Sequence, residues 1–340
     1  MKPEGRSVVL ERVPMMSVDR GRCTLVLAIQ TVLRYLGQKV DYDYLMGMSG
    51  AGFLFYVNPK EPVAAKWCEA MRERWLHIVS DAVGLELRLV DTEETLFARD
   101  PEAHFYKAFG KEVVESLESR RPCLGFTCFK GPQWDVIAGF SDGRLLCRSI
   151  HNKTSSSGLI DRIQPYDRNE LWPSKIIVLG QEKSVPPRLE MIAKAIEVGL
   201  EIGRGICDDA GSGPLTGPLA LSAWAELLAE RASANDLAAH EQLRKTLIDS
   251  RISLERFLRW VETELGRELG PDVGRARKRF SESFEMLLST DFTEETMADG
   301  DSCGRAVQRI RSLQEIESEA FRYLESVHDG LNASGQVSCE

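Results

Sequence analysis

GRCTLVLAIQTVLRYLG, from Gly21 to Gly37, decides how the rest of the chain is read. Leu25, Val26, Ile29, Val32, Leu33 and Leu36 recur at helical spacing, and Gly37 supplies a stop. Leu27 and Ala28 fill the remaining side, so the spacing predicts a helix buried on most faces. A single cysteine, Cys23, stands directly in front of it. Two readings of that thiol are open. A helix N-terminus and a neighbouring cation, Arg22, stabilise a thiolate, which makes Cys23 a candidate nucleophile. Cysteine is also among the residues most often buried as a small apolar group, which makes it a candidate packing residue.

Working outward, residues 7–14 read as a short strand and 41–50 as a short helix ending in a glycine turn. AGFLFYV (51–57) reads as a strand, and an amphipathic helix covers 62–82. Alternation marks LELRLV (85–90) as a strand, and a helix is expected over 101–119. A strand-rich block follows at 123–129, 134–140, 144–150 and 174–180. Asp142-Gly143 inside FSDGR signals a hairpin. Beyond EKSVPP only helical patterning remains, over 188–207, 217–233, 235–265, 271–289 and 304–329, with a Gly/Pro-rich break at 208–218. The expected organisation is an α+β domain over 1–183, an all-helical domain over 184–330 and a frayed tail over 331–340.

Composition narrows the function class. The 340 residues are 43% hydrophobic and 28% charged, with a formal net charge of −9, a balance that suits a globular chain and disfavours a phosphate backbone as partner. The basic run GRARKRF (274–280) reads as a solvated helix face. No stretch has the length of a signal peptide or a membrane span, so a cytoplasmic protein without membrane contact is expected. The eight cysteines have no regular spacing and no CxxC, which reads as reduced thiols and no zinc site. GSGPLTG lacks the lysine of a phosphate loop, and no cofactor fingerprint is present.

The segment CTLVLAIQTVLRYLGQKVDYDYLMGMSGAGFLFYV resembles the N-terminal domain of the butirosin-biosynthesis H protein family, itself similar to papain-like peptidases of the C39 type. In that pattern a cysteine starts a helix, a glycine ends it, and a glycine-containing turn and strand follow. GPQWDVIAGFSDGRLLC is similar to the segment that carries the catalytic histidine, and GPLALSAWAELLAE to the helical region that follows. The resemblance implies a papain-like fold and a thiol-dependent acyl or aminoacyl transferase or a peptidase. Its expected partners are a small-molecule or peptide substrate, an acyl carrier protein as a compatible donor, and a homo-oligomer as a compatible assembly.

The chain departs from the pattern at the base. Gln133 stands where C39-type enzymes place histidine, and an amide takes no proton near neutral pH. Asp135, two residues on, and His151, after the neighbouring strand, are the substitute proton acceptors beside Cys23. Arg22 or Arg148 is the expected partner for Asp135. Arg22, Gln133, Trp134 and the turn residues Ser49, Gly50 and Phe53 are the candidate substrate-binding groups. The alternative is a papain-fold binding or regulatory module that has lost its chemistry.

Overall fold

A computed structural model of the chain describes residues 7–17, 21–58, 73–91, 99–129, 131, 133–151, 166–205, 215–230, 237–290, 292–293 and 299–333. In chain order its elements are β1 (Val8–Val9), α1 (Thr24–Tyr35), α2 (Tyr42–Met48), β2 (Tyr56–Val57), α3 (Glu73–Val83) and β3 (Leu85–Asp91). Next come α4 (Pro101–Ala108), α5 (Gly110–Glu118), β4 (Cys123–Phe126), β5 (Trp134–Ser141), β6 (Arg144–Arg148), β7 (Asp167–Arg168) and β8 (Lys175–Glu182). The helical half holds α6 (Arg188–Gly203), β9 (Leu215–Thr216), α7 (Gly217–Glu230), α8 (Leu237–Leu288) and α9 (Gly300–Ala333).

The chain divides into two compact units. One comprises Met1–Tyr42 with Val79–Val185, the other Asp43–Ile78 with Pro186–Glu340. The boundary read near residue 183 lies beside the last of these crossings. Residues 43–78, read as part of the first domain, group with the helical half, because β2 pairs with β9 (Tyr56 opposite Thr216) and Phe55 and Val57 join the core around Trp224.

The first unit is built on an antiparallel sheet in the order β3-β8-β4-β5-β6-β7. β5 is central, and every residue from Trp134 to Phe140 is buried. β6 lies along one edge of β5, while β4 and then β1 share the other. Gly139 is glycine for that reason: a Cβ there would meet the Val8 carbonyl oxygen at 2.5 Å. α1 packs on β4 and β5 with Thr24 through Leu33 buried, each aliphatic side chain contributing roughly 1.5–3 kcal/mol. α5 packs on β4 and β8.

The helix expected over 101–119 is two helices meeting at Phe109. Asp100 caps the first, accepting the Ala103 amide at 3.0 Å with Pro101 at the first turn. Phe109 leaves helical geometry (φ −124°, ψ −14°), and its fully buried ring packs on Phe105. At 51–57, where a strand is expected, residues 51–53 form a turn and only Tyr56–Val57 pair. The helix expected over 62–82 is described from Glu73 to Val83, and its earlier residues lie outside the described ones.

In the second unit, α9 packs against α6, α7 and α8. The two helices expected over 235–265 and 271–289 are one run interrupted at Gly266 (φ +62°, ψ −142°), a backbone state reserved for glycine. Its core contains a fully buried ion pair, Arg251 to Glu317 at 2.7 Å, with Ser283 donating to the same carboxylate. The Arg251 guanidinium also donates to the carbonyls of Gly52 (2.8 Å) and Phe53 (3.2 Å). The final helix includes residues 331–333 of the expected tail, and 334–340 lie outside the described residues.

Candidate functional site

Cys23 is the N-cap of α1. Its backbone is extended (φ −71°, ψ 99°) and its carbonyl takes the Leu27 amide at 2.9 Å. The sulfur accepts the Val26 amide at 3.3 Å, the place a serine or aspartate oxygen ordinarily occupies. The Cys23 amide donates to the Tyr42 hydroxyl at 3.0 Å. Tyr42 lies so close over Gly21 that a Cβ there would sit 2.1 Å from its ring. Glycine, cysteine and tyrosine thus form one packed corner, and Cys23 retains 1% of its exposure. Arg22 beside it is exposed.

The corner is tied to β5 through the next residue, since the Trp134 amide donates to Thr24 Oγ1 at 3.1 Å. Trp134 is buried with its ring 5.4 Å from that of Phe126. Gln133 and Asp135, on either side of it, belong to a polar network. Gln133 Nε2 donates to Asp135 Oδ1 at 3.4 Å and to Ser149 Oγ at 3.1 Å. The Phe129 amide donates to Asp135 Oδ2 at 3.2 Å, and the Ser149 hydroxyl and the Cys128 amide also reach that carboxyl.

Asp135 is fully buried, and burial lifts its carboxyl to about 7 against the opposing pull of those four donors. The arginine expected beside it goes elsewhere. Arg148 Nε donates to the Val13 carbonyl at 3.1 Å and its guanidinium lies 4.0 Å over the Tyr166 ring. The groups that shift Asp135 are hydrogen-bond donors, with no guanidinium among them. A carboxylate can be satisfied by amides and hydroxyls alone, and here it is.

Ser149 is the member of this network that sequence reasoning missed. Counting back evenly from the Asp142-Gly143 turn would set Val136 opposite Ser149. A β-bulge at Ala138 shifts the register, so Ile137 faces Cys147, Val136 faces Arg148, and Asp135 comes level with Ser149. Gly139, inside a strand, is the signal that a bulge stands nearby. His151 joins the network through its backbone, whose amide donates to Ser149 Oγ at 3.2 Å, while the residue itself is exposed.

Three further thiols line the face of the sheet that carries Asp135. Cys123 and Cys147 both sit level with Ile137, and Cys128 lies beside Gly125. All three are fully buried. Burial pushes the Cys123 thiol up to about 12, and burial together with the adjacent Cys147 raises Cys128 well above the usual thiol range. With Cys23 and Cys303 these are reduced cysteines. Among the described residues no group of three or more histidine, cysteine and acidic side chains is arranged to hold a metal.

Ser49, Gly50 and Phe53 belong to the second unit. Ser49 Oγ accepts the Ala51 amide at 3.3 Å, and Gly50 holds φ +75° with Val198 against it. Phe53 is fully buried between Phe280 and Phe321. The three therefore shape a turn that Arg251 pins, and they are not in the unit that carries Cys23.

The basic run 274–280 is paired internally: Arg275 with Asp272, Arg277 with Glu255 and Glu262, Arg279 with Glu282 and Glu319. Elsewhere in the first unit an open cleft of about 320 Å³ lies between α5 and the β3–β8 edge, with Glu86, Arg88, Glu112, Glu115 and Arg121 around it. Among the described residues no helix is long and apolar enough to cross a membrane. No family model matches the chain, and no curated protein matches it.

Proposed function

We propose that the first unit is a papain-like scaffold, of the type resembled by the butirosin-biosynthesis H proteins, that binds a small metabolite or peptide without using Cys23 as a nucleophile. One observation carries this reading. Gln133, in the place of the expected histidine, is held by Asp135 and Ser149, and an amide there takes no proton from a thiol. The enclosure of Cys23 and its use as a helix cap support the same view. The binding groups belong to the mouth of β5, where Gln133 and Trp134 stand next to the start of α1.

A thiol-dependent acyl or aminoacyl transferase, or a peptidase, is the second reading, and it has its own support. The Cys23 sulfur already faces a helix amide, and a carboxyl near 7 suits proton transfer at neutral pH. An acyl carrier protein as donor belongs to this reading.

Alkylation of Cys23 by iodoacetamide across pH, followed by peptide mass spectrometry with Cys23→Ser as control, separates the two. Protection of Cys23 until the protein unfolds is the expected result. Rapid alkylation with a midpoint well below the free-thiol value of about 8.5 would overturn the binding reading and favour the transferase.

A further inference from the structure

Among the described residues, the hydrogen bonds around Gln133 leave one of its atoms over. Asp135 receives the Gln133 Nε2, Phe129 amide, Cys128 amide and Ser149 hydroxyl protons. Ser149 Oγ, its own proton committed to Asp135, accepts from Gln133 Nε2 and from the His151 amide. Both N–H groups of the Gln133 amide are therefore engaged, and its backbone amide donates to the Gly131 carbonyl at 3.0 Å. Among the described residues nothing donates to Gln133 Oε1.

With Asp135 ionised, the amide cannot turn over to repair this. Rotation by half a turn would set Oε1 against the Asp135 carboxylate and against a serine oxygen whose proton points elsewhere. Two acceptor–acceptor contacts would replace two hydrogen bonds. Oε1 is thus fixed as the outward group of a side chain that keeps 7% of its exposure. Among the described residues the sealed partnerless atoms include Trp75 Nε1 and Trp134 Nε1, and Gln133 Oε1 is not one of them.

We propose that Gln133 Oε1 is the recognition group of this unit, held by Asp135 and Ser149 as a fixed acceptor for an N–H group of a small ligand, either a protonated amine or a neutral amide. This rests on the binding reading above and adds the ligand's chemistry to it. The site accepts a proton donor and rejects a carboxylate, which would set an acceptor against the acceptor Oε1, near an ionised Asp135. Carboxylic acids lacking an N–H are outside its range. The same arrangement makes Asp135 and Ser149 positioning residues: they set which end of the amide faces the ligand.

Methylammonium and acetate have similar size and opposite hydrogen-bonding roles, and acetamide is the neutral member of the set. Each is titrated into the intact protein labelled with 15N-glutamine, above the pH at which Asp135 ionises. The readout is the Gln133 side-chain amide signal, identified by its loss in Gln133→Met. Methylammonium and acetamide are expected to shift that signal saturably and acetate to leave it unmoved. Gln133→Met should weaken methylammonium binding about fivefold or more, measured calorimetrically. Acetate shifting the signal as strongly as methylammonium, or no shift with either donor, overturns the proposal; both readings use the unmutated protein, so they stand whether or not the variant folds. If Cys23 proves a reactive thiolate while methylammonium still engages Gln133, the binding reading fails and this inference survives.

Discussion

Thr24 Oγ1 accepts the backbone amide of Trp134 at 3.1 Å, joining the first residue of the buried helix to the first residue of the central strand across 110 positions of sequence. The bond does two jobs. It satisfies an amide at the start of β5, and it fixes Cys23 relative to the Gln133–Asp135 pair. Replacing Thr24 by valine keeps the shape and removes the acceptor. The stranded amide should cost about 1–3 kcal/mol, read as a lower urea midpoint at unchanged slope. A variant as stable as the parent would mean that this contact is not sustained.

Asp135 sets a pH dependence whose sign follows from its burial. Folded, it keeps its proton to about 7; unfolded, it releases it near 3.9. The folded state therefore binds the extra proton in between, and its stability is fully present below the lower value and falls as pH rises through the window. The slope from this group is at most about 1.4 kcal/mol per pH unit, and it flattens above the upper value. Asp135→Asn cannot ionise, so its urea-derived stability should lack this component. Parallel pH profiles for parent and variant would show that Asp135 does not titrate there.

Thiol reactivity should separate by location. Cys123, Cys128 and Cys147 are sealed in the sheet, and Cys123 and Cys128 are pushed upward by burial, whereas Cys303 is half-buried on α9. Peptide-resolved alkylation of the native protein is expected to label Cys303 well before those three, which should react only with unfolding. Early labelling of Cys128 would point to loss of the hydrogen bond from the Thr127 amide to the Gln133 carbonyl.

The second unit depends on its buried ion pair. Arg251→Met leaves Glu317 charged and enclosed, a change expected to cost about 3–5 kcal/mol. It also releases the Gly52 and Phe53 carbonyls, so thermal unfolding should shift sharply downward. Pairing it with Glu317→Leu should recover part of the loss, because two well-packed apolar groups leave no charge unpaired.

Gly21→Ala tests the corner at Cys23. The added methyl would meet the Tyr42 ring, which must move and give up its bond to the Cys23 amide. Lower stability and faster Cys23 alkylation than in the parent are expected together. Unchanged Cys23 protection would mean that Tyr42 does not shield the thiol.

The elements that sequence made legible are those whose signal is local. The buried helix at Thr24–Tyr35, the Asp142-Gly143 hairpin and the helical second half announce themselves by periodicity, by turn chemistry and by the loss of strand patterning. What stayed hidden is set by partners far along the chain. Tyr56–Val57 is a strand because Leu215–Thr216 lies beside it, and nothing near residue 56 says so. Ser149 joins Asp135 only because one residue bulges at Ala138. Arg148 was an expected partner for Asp135, and its side chain instead serves Val13 and Tyr166. Register and side-chain direction depend on tertiary context, which a single chain of letters does not display.

The way the two units share the chain bears on how the protein is made. Residues 43–78 leave the ribosome early, yet the segment they fold with begins at Pro186. At ordinary elongation rates of about 5–20 residues per second, Tyr56 waits roughly 8–32 seconds for Thr216 to be synthesised. During that interval Phe53, Phe55 and Val57 lack the helices that will enclose them, while the remainder of the first unit is being completed around the gap. The nascent chain therefore carries an apolar segment in search of a core not yet translated, which is the kind of surface that chaperones recognise.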